Sequence, residues 1–146
     1  MTQEDQRLTL LRSWVQLSGI LKNSRFTKEL SYNEAIIMLM LYEKYQHDGI
    51  GILSVKDITS STRMLKSLVN RTLNSLEAKG LLQRCEGEGD RRIGYVRCVQ
   101  DQLGVFLQVH ASSMEIAGHI ADIIGPDDTE AFIRIVSKLA QSGYHL

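Results

Sequence analysis

Apolar residues near the start of the chain recur at helical spacing. Leu8, Leu11, Trp14, Val15, Leu17 and Leu21 fall three or four apart, which predicts a helix over about Gln6–Thr27. Leu10 and Ile20 widen its stripe, so it should touch more than one neighbour. Ser31-Tyr-Asn-Glu34 then has the spacing of a capping box, and the apolar run Ala35–Tyr42 follows it. A second helix, buried nearly all round, is predicted to about Gln46, ended by the glycines of His47-Asp-Gly-Ile-Gly51. A short extended piece fits Ile50–Leu53.

Ser54 and Asp57 mark the start of a short third helix with Val55, Ile58, Thr59 and Thr62 inward. After a brief turn at Arg63–Leu65, a fourth helix is predicted over Lys66–Lys79, with Val69, Leu73 and Leu76 inward and Gly80 as its left-handed stop. The period then changes. Leu81–Glu86 and Ile93–Val99 read as strands joined by a turn at Gly87–Asp90, a β-hairpin. A long fifth helix, about Asp101–Ile124, carries Leu103, Phe106, His110, Met114, Ala117, Ile120, Ala121 and Ile124 as its stripe. Gly125-Pro126 breaks it, Asp127-Asp-Thr-Glu130 offers a cap, and a sixth helix to about Ser142 has Phe132, Ile135, Val136, Leu139 and Ala140 on one side.

Two short helices joined by a tight turn are a helix-turn-helix, and a hairpin directly after them makes a winged helix. The fold class is therefore α+β, mainly α, in a single domain over 1–146. Its winged helix-turn-helix lobe covers 31–99, between helical regions at 6–28 and 101–146. At 146 residues and 43% hydrophobic, the chain has material for a core without disulfide or metal staples. Its longest apolar run is too short for a membrane span, and the polar N-terminus lacks the pattern of a secretory signal, so a cytoplasmic location is expected.

Net charge is zero, but it is unevenly spread. Residues 1–53 are neutral, 54–99 carry nine basic against five acidic residues, and 100–146 carry two against six. Charge alone leaves both a localised anion-binding surface and an ordinary solvated one open. The outward positions of the fourth helix decide more. Ser67, Asn70, Arg71 and Asn74 share one face at i, i+3, i+4 and i+7, with Lys66 beside them and no acid or apolar residue among them. Arg suits guanine, Asn suits adenine, and Ser and Lys can also hold phosphate.

From Leu68 to Arg84 the chain reads Leu-Val-Asn-Arg-Thr-Leu-Asn-Ser-Leu-Glu-Ala-Lys-Gly-Leu-Leu-Gln-Arg, and Gly89-Asp90-Arg91-Arg92 follows. These segments, with a helix before and two long helices after, resemble the recognition helix and Asp-Arg-Arg wing of the MarR family of bacterial winged-helix regulators. Leu68 and Thr72 depart from the family, which often has a polar and an aliphatic residue there. The resemblance implies a homodimer whose terminal helices form the interface, with the fourth helix in the major groove and a wing arginine in the minor groove. Lys66, Ser67, Asn70 and Arg71 would be the major-groove set. Asp90 would hold the wing arginines, Arg92 would enter the minor groove, and Arg91 would contact phosphate or substitute for Arg92. The implied function is a transcriptional repressor on a pseudo-palindromic operator, with half-sites about one helical turn apart. A winged-helix protein-interaction module or anti-activator without DNA binding is the alternative, against which the basic face argues.

Relatives in the family often bind small aromatic or phenolic effectors between the dimer helices and the DNA-binding lobe. Trp14, Leu17, Met38, Tyr42, Phe106 and His110 are the candidate lining, although such a cluster is more often plain core. Cys85 and Cys98 lie on the two strands and read as half-buried thiols. They would face each other in only one register, which the sequence does not fix. His47, His110, His119 and His145 show no metal-ligand spacing, and no cofactor is expected. With no phosphate loop, nucleophile elbow or paired carboxylates, the sequence does not read as an enzyme.

Overall fold

The computed structural model describes residues 1–24, 29–86 and 94–143. The chain divides into two compact units, residues 1–110 and 111–146. The elements run α1 (Gln3–Asn23), α2 (Tyr32–Asp48), β1 (Ile52–Ser54), α3 (Val55–Thr62), α4 (Lys66–Ala78), β2 (Leu82–Cys85), β3 (Tyr95–Cys98), a 3-10 turn (Gln100–Gln102), α5 (Leu103–Ile124) and α6 (Pro126–Gln141). Among the described residues, six α-helices and a small antiparallel sheet make a winged helix, as the periodicity predicts.

Local chemistry sets the boundaries. α1 starts earlier than its apolar stripe suggests, because Thr2 and Asp5 form a capping box ahead of it. Ser31 and Glu34 form the expected box on α2, whose end turns at Gly49 with φ +74°. Two residues on, Gly51 also has φ +74°, and a Cβ there would sit 2.9 Å from that of Tyr45, so only glycine fits. Asp48 closes this corner by accepting from the Ile50 and Gly51 amides, at 2.8 and 3.0 Å.

The extended piece after that corner is a strand in its own right. The sheet has the order β1-β3-β2, with Leu53 opposite Val96 and Leu82 opposite Cys98. The hairpin therefore has a third strand along β3. Beneath it, Ile37, Met38, Leu41, Ile58, Val69, Leu73, Leu76, Leu82, Val96, Phe106 and Val109 are fully buried in the core of the first unit.

The sixth helix corrects one expectation. Its N-cap is Gly125 with Pro126 in the first turn, so Asp127 and Asp128 are first-turn acids facing the helix dipole and not the cap itself. A second correction concerns burial. The stripes of α1 and α6 contain no buried residue, and Leu11, Trp14, Ile135 and Leu139 are all at least half exposed. Periodicity reports that a face is apolar, not that it is buried.

Candidate nucleic-acid interface

The helix-turn-helix is built by three local devices. Ser54 Oγ accepts from the Asp57 amide at 2.9 Å and starts α3. Arg63, at φ 61°, turns the chain out of α3 in the left-handed region that non-glycine residues seldom occupy. α4 ends in a Schellman motif, with the Leu81 amide donating to Leu76 O at 3.1 Å and the Gly80 amide to Glu77 O at 2.9 Å. Leu81 is buried beneath it.

The faces of α4 are cleanly divided. Val69, Leu73 and Leu76 are fully buried, and Thr72 is buried beside them. The Thr72 hydroxyl donates to Leu68 O at 2.8 Å, so a polar residue fits an inward position without an unpaired group. On the other side Lys66, Ser67, Arg71 and Asn74 are exposed and Asn70 is half-buried. Neither an acid in the first turn nor a side-chain cap neutralises the positive end of the helix dipole, where Leu65 stands as N-cap.

A buried carboxylate orients this helix. Glu34, at the start of α2, is 5% exposed. Its Oε1 accepts from the Ser31 amide at 3.0 Å and from Lys79 Nζ at 3.0 Å, and its Oε2 accepts from Ser75 Oγ at 3.1 Å and lies 2.8 Å from Lys79 Nζ. Burial pushes the Glu34 pKa up, but the Lys79 ammonium and the Ser31 amide and hydroxyl outweigh it and hold the carboxyl below its ordinary value. Lys79 also donates to Glu29 O at 3.0 Å. The C-terminal end of α4 is thus tied to the N-terminal end of α2. The Ser-x-x-Glu spacing signals the cap but not this second use of the same carboxylate.

Arg84 is a residue the sequence reading leaves out of the site. From β2 it lays its guanidinium over the outward side of α4, with Nη2 2.7 Å from Asn74 Oδ1 and 3.5 Å from Asn70 O. Its own amide donates to Glu77 Oε2 at 3.0 Å. The signal was the two-residue alternation from the buried Leu82, which points Arg84 to the α4 side of the sheet. Asp90, Arg91 and Arg92, with the turn predicted over 87–90, lie outside the described residues.

The register settles the cysteine geometry. Cys98 faces Leu82 and Cys85 faces Tyr95, so the thiols stand at opposite ends of the ladder and on opposite faces. Three residues of strand, about 10 Å, exceed what a disulfide spans. Burial pushes Cys98 up to about 11. It also raises Cys85, against the opposing pull of the Arg97 charge. Both are therefore thiols at neutral pH, with low nucleophilicity.

The six residues suggested as an effector lining differ in burial. Met38 and Phe106 are fully buried core. Tyr42 and His110 are half-buried with ring centroids 5.2 Å apart. Leu17 is half-buried on α1, and Trp14 is exposed. A cavity of about 430 Å³ lies instead beside Gln83, Arg97 and Asp101, and another of about 350 Å³ lies along Leu8, Leu11 and Val15; none of the six lines either. Among the described residues no group of His, Cys, Asp and Glu could hold a metal ion, and no helix is long and apolar enough to cross a membrane.

Residues 30–93 match the model of the MarR family. Among curated proteins, no sequence matches this chain. Solved structures match it along nearly its whole length. AbsC, a MarR family transcriptional regulator from Streptomyces coelicolor, is 18% identical, with 97% of this chain and 95% of that one covered at a TM-score of 0.77. A cysteine-to-serine mutant of MarR from E. coli, complexed with operator DNA, is 11% identical over 95% and 99% of the two chains, at 0.74. BpsR from Bordetella bronchiseptica, whose DNA binding is regulated by 6-hydroxynicotinic acid, is 17% identical over 92% and 91%, also at 0.74. At these identities the likeness is one of fold.

Proposed function

We propose that this chain, whose residues 30–93 match the model of the MarR family, is a homodimeric, cytoplasmic repressor of that family that binds a pseudo-palindromic DNA operator and has no enzymatic activity. The observation that carries the reading is the divided α4. One side is sealed into the core through Val69, Leu73 and Leu76. The opposite side offers Lys66, Ser67, Asn70, Arg71 and Asn74 without an acid among them. An α-helix fits the major groove, and these groups match base edges and phosphates there. Arg92 enters the minor groove, Asp90 holds it in place, and Arg91 meets phosphate. The exposed apolar stripes of α1 and α6 supply the dimer interface, since faces with this much apolar surface call for a partner. A small aromatic effector, of the kind BpsR responds to, releases the operator.

A gel shift against the DNA upstream of the protein's own gene, at two salt concentrations, tests this. A specific complex that weakens steeply with salt is expected, since Lys and Arg contacts displace counterions from the phosphates. No complex at low salt removes the DNA-binding reading and leaves the protein-interaction module. In the same assay Arg92→Ala is expected to weaken the complex and lower the salt slope by about one ion, without altering the mass of the dimer. Undiminished affinity takes the wing out of the mechanism.

A further inference from the structure

We infer that Arg84 dictates what Asn74 reads on a bound duplex, turning the pair into a donor-only element that selects guanine over adenine. The inference rests on α4 as the recognition helix and sharpens it to one base position.

An asparagine by itself recognises adenine because it uses both ends of its amide. Its Oδ1 accepts from the adenine N6 amino group while its Nδ2 donates to N7. Here the oxygen is already engaged. The guanidinium of Arg84 has donors and no acceptor, so the Asn74 atom 2.7 Å from Nη2 must be the carbonyl oxygen. That chemistry fixes the orientation of the amide, and its NH2 is the end left to meet an incoming base.

Arg84 is well placed to hold this arrangement. Its amide is anchored on Glu77 Oε2 at 3.0 Å, and its Nη2 also lies 3.5 Å from Asn70 O. Leu82, two residues earlier on the same strand, is buried in the core and fixes where the side chain emerges. Both Asn74 and Arg84 are exposed, on the same outward side of α4 as Ser67 and Arg71. An incoming base edge therefore meets the NH2 of Asn74 and the remaining N–H groups of a fixed guanidinium. Guanine offers O6 and N7, both acceptors. Adenine offers N7 beside an amino donor, which finds its partner oxygen taken. The strand after the recognition helix thereby edits a base preference that the helix sequence alone would assign to adenine.

Selection of duplexes from a random-sequence pool by the full chain tests this, with wild type, Arg84→Ala, Asn74→Ala and the double variant in parallel. Wild type is expected to enrich a guanine at one position of each half-site. Arg84→Ala frees the Asn74 oxygen, so that position should relax toward adenine, with guanine preference falling about tenfold and the other positions unchanged. Asn74→Ala should lose preference at that same position, and the double variant should match Asn74→Ala, without the adenine that Arg84→Ala alone gains, because Arg84 acts there through Asn74. If Arg84→Ala enriches the wild-type motif unchanged and only binds all duplexes more weakly, Arg84 is a phosphate contact and the inference is overturned while DNA reading by α4 stands. If the two single variants relax different positions, the pair does not act as a unit and the inference fails. A wild type that enriches no motif overturns both the inference and the recognition-helix reading beneath it.

Discussion

Replacing Phe106 by alanine is expected to remove about 3–5 kcal/mol of folding stability, the range for deleting a fully buried aromatic ring from a core. The ring is fully buried and belongs to the hydrophobic core of the first unit, with Met38, Leu41, Leu73 and Val96 among its other members. Such a loss is a large share of the roughly 5–15 kcal/mol that a domain commonly has in hand. Urea unfolding at one fixed protein concentration measures it, since association would otherwise contribute to the apparent stability. A midpoint that falls with an unchanged slope is the expected result. The experiment also separates two roles for this residue. A ring lining an effector cleft is partly solvated in the free protein, and its truncation would cost well under the core value while changing the response to an aromatic ligand. A cost below about 1 kcal/mol would put Phe106 in a cleft and take it out of the core.

Phe106 illustrates what the chain's pattern can and cannot convey. Spacing along α5 places it on an inward stripe, and a stripe position is compatible with both core and cleft. Three-dimensional closure by residues distant in the sequence decides between them. The same holds for α4. Val69, Leu73 and Leu76 at helical spacing locate its buried side, and Ser67, Asn70, Arg71 and Asn74 its outer one, directly from the sequence. Caps were legible wherever one short polar side chain does the work, as at Ser31 and Ser54. At Gly125-Pro126 the backbone itself starts the helix, and the acids that follow mimic a cap in the sequence. What was not legible is long-range. Glu34 meets Lys79 across 45 positions, and Arg84 meets Asn74 from a strand whose register no local pattern fixes. The stripes of α1 and α6 show the converse limit, since an apolar period gives no sign of whether the surface that covers it belongs to the same chain.

Glu34→Ala is expected to cost about 1–3 kcal/mol and to weaken operator binding, because one carboxylate both caps α2 and holds the end of the recognition helix. The figure lies below that for a fully enclosed ion pair, since the Lys79 side chain is 39% exposed and can turn its ammonium to water when the partner is gone. The loss of affinity follows from lost preorganisation. With Ser75 and Lys79 released, the tilt of α4 is set by core packing alone, and its outward groups no longer arrive in register with the groove. The pH dependence gives an independent signature. The folded carboxyl titrates below its ordinary value of 4.5, so the unfolded chain binds the proton more readily. Stability from this site is therefore fully present above that ordinary value and is lost as the pH falls through the lower, folded one. Glu34→Gln keeps the shape and an acceptor for Ser75 but has no charge to titrate. Subtracting its stability-versus-pH curve from that of the wild type cancels the other carboxylates, including Asp5 and Asp48, whose pKa values are also lowered. The difference should be constant near neutrality and shrink in acid. A difference that stays flat across the acid range would mean that Lys79 does not hold the Glu34 charge, and that α4 is oriented by its apolar side alone.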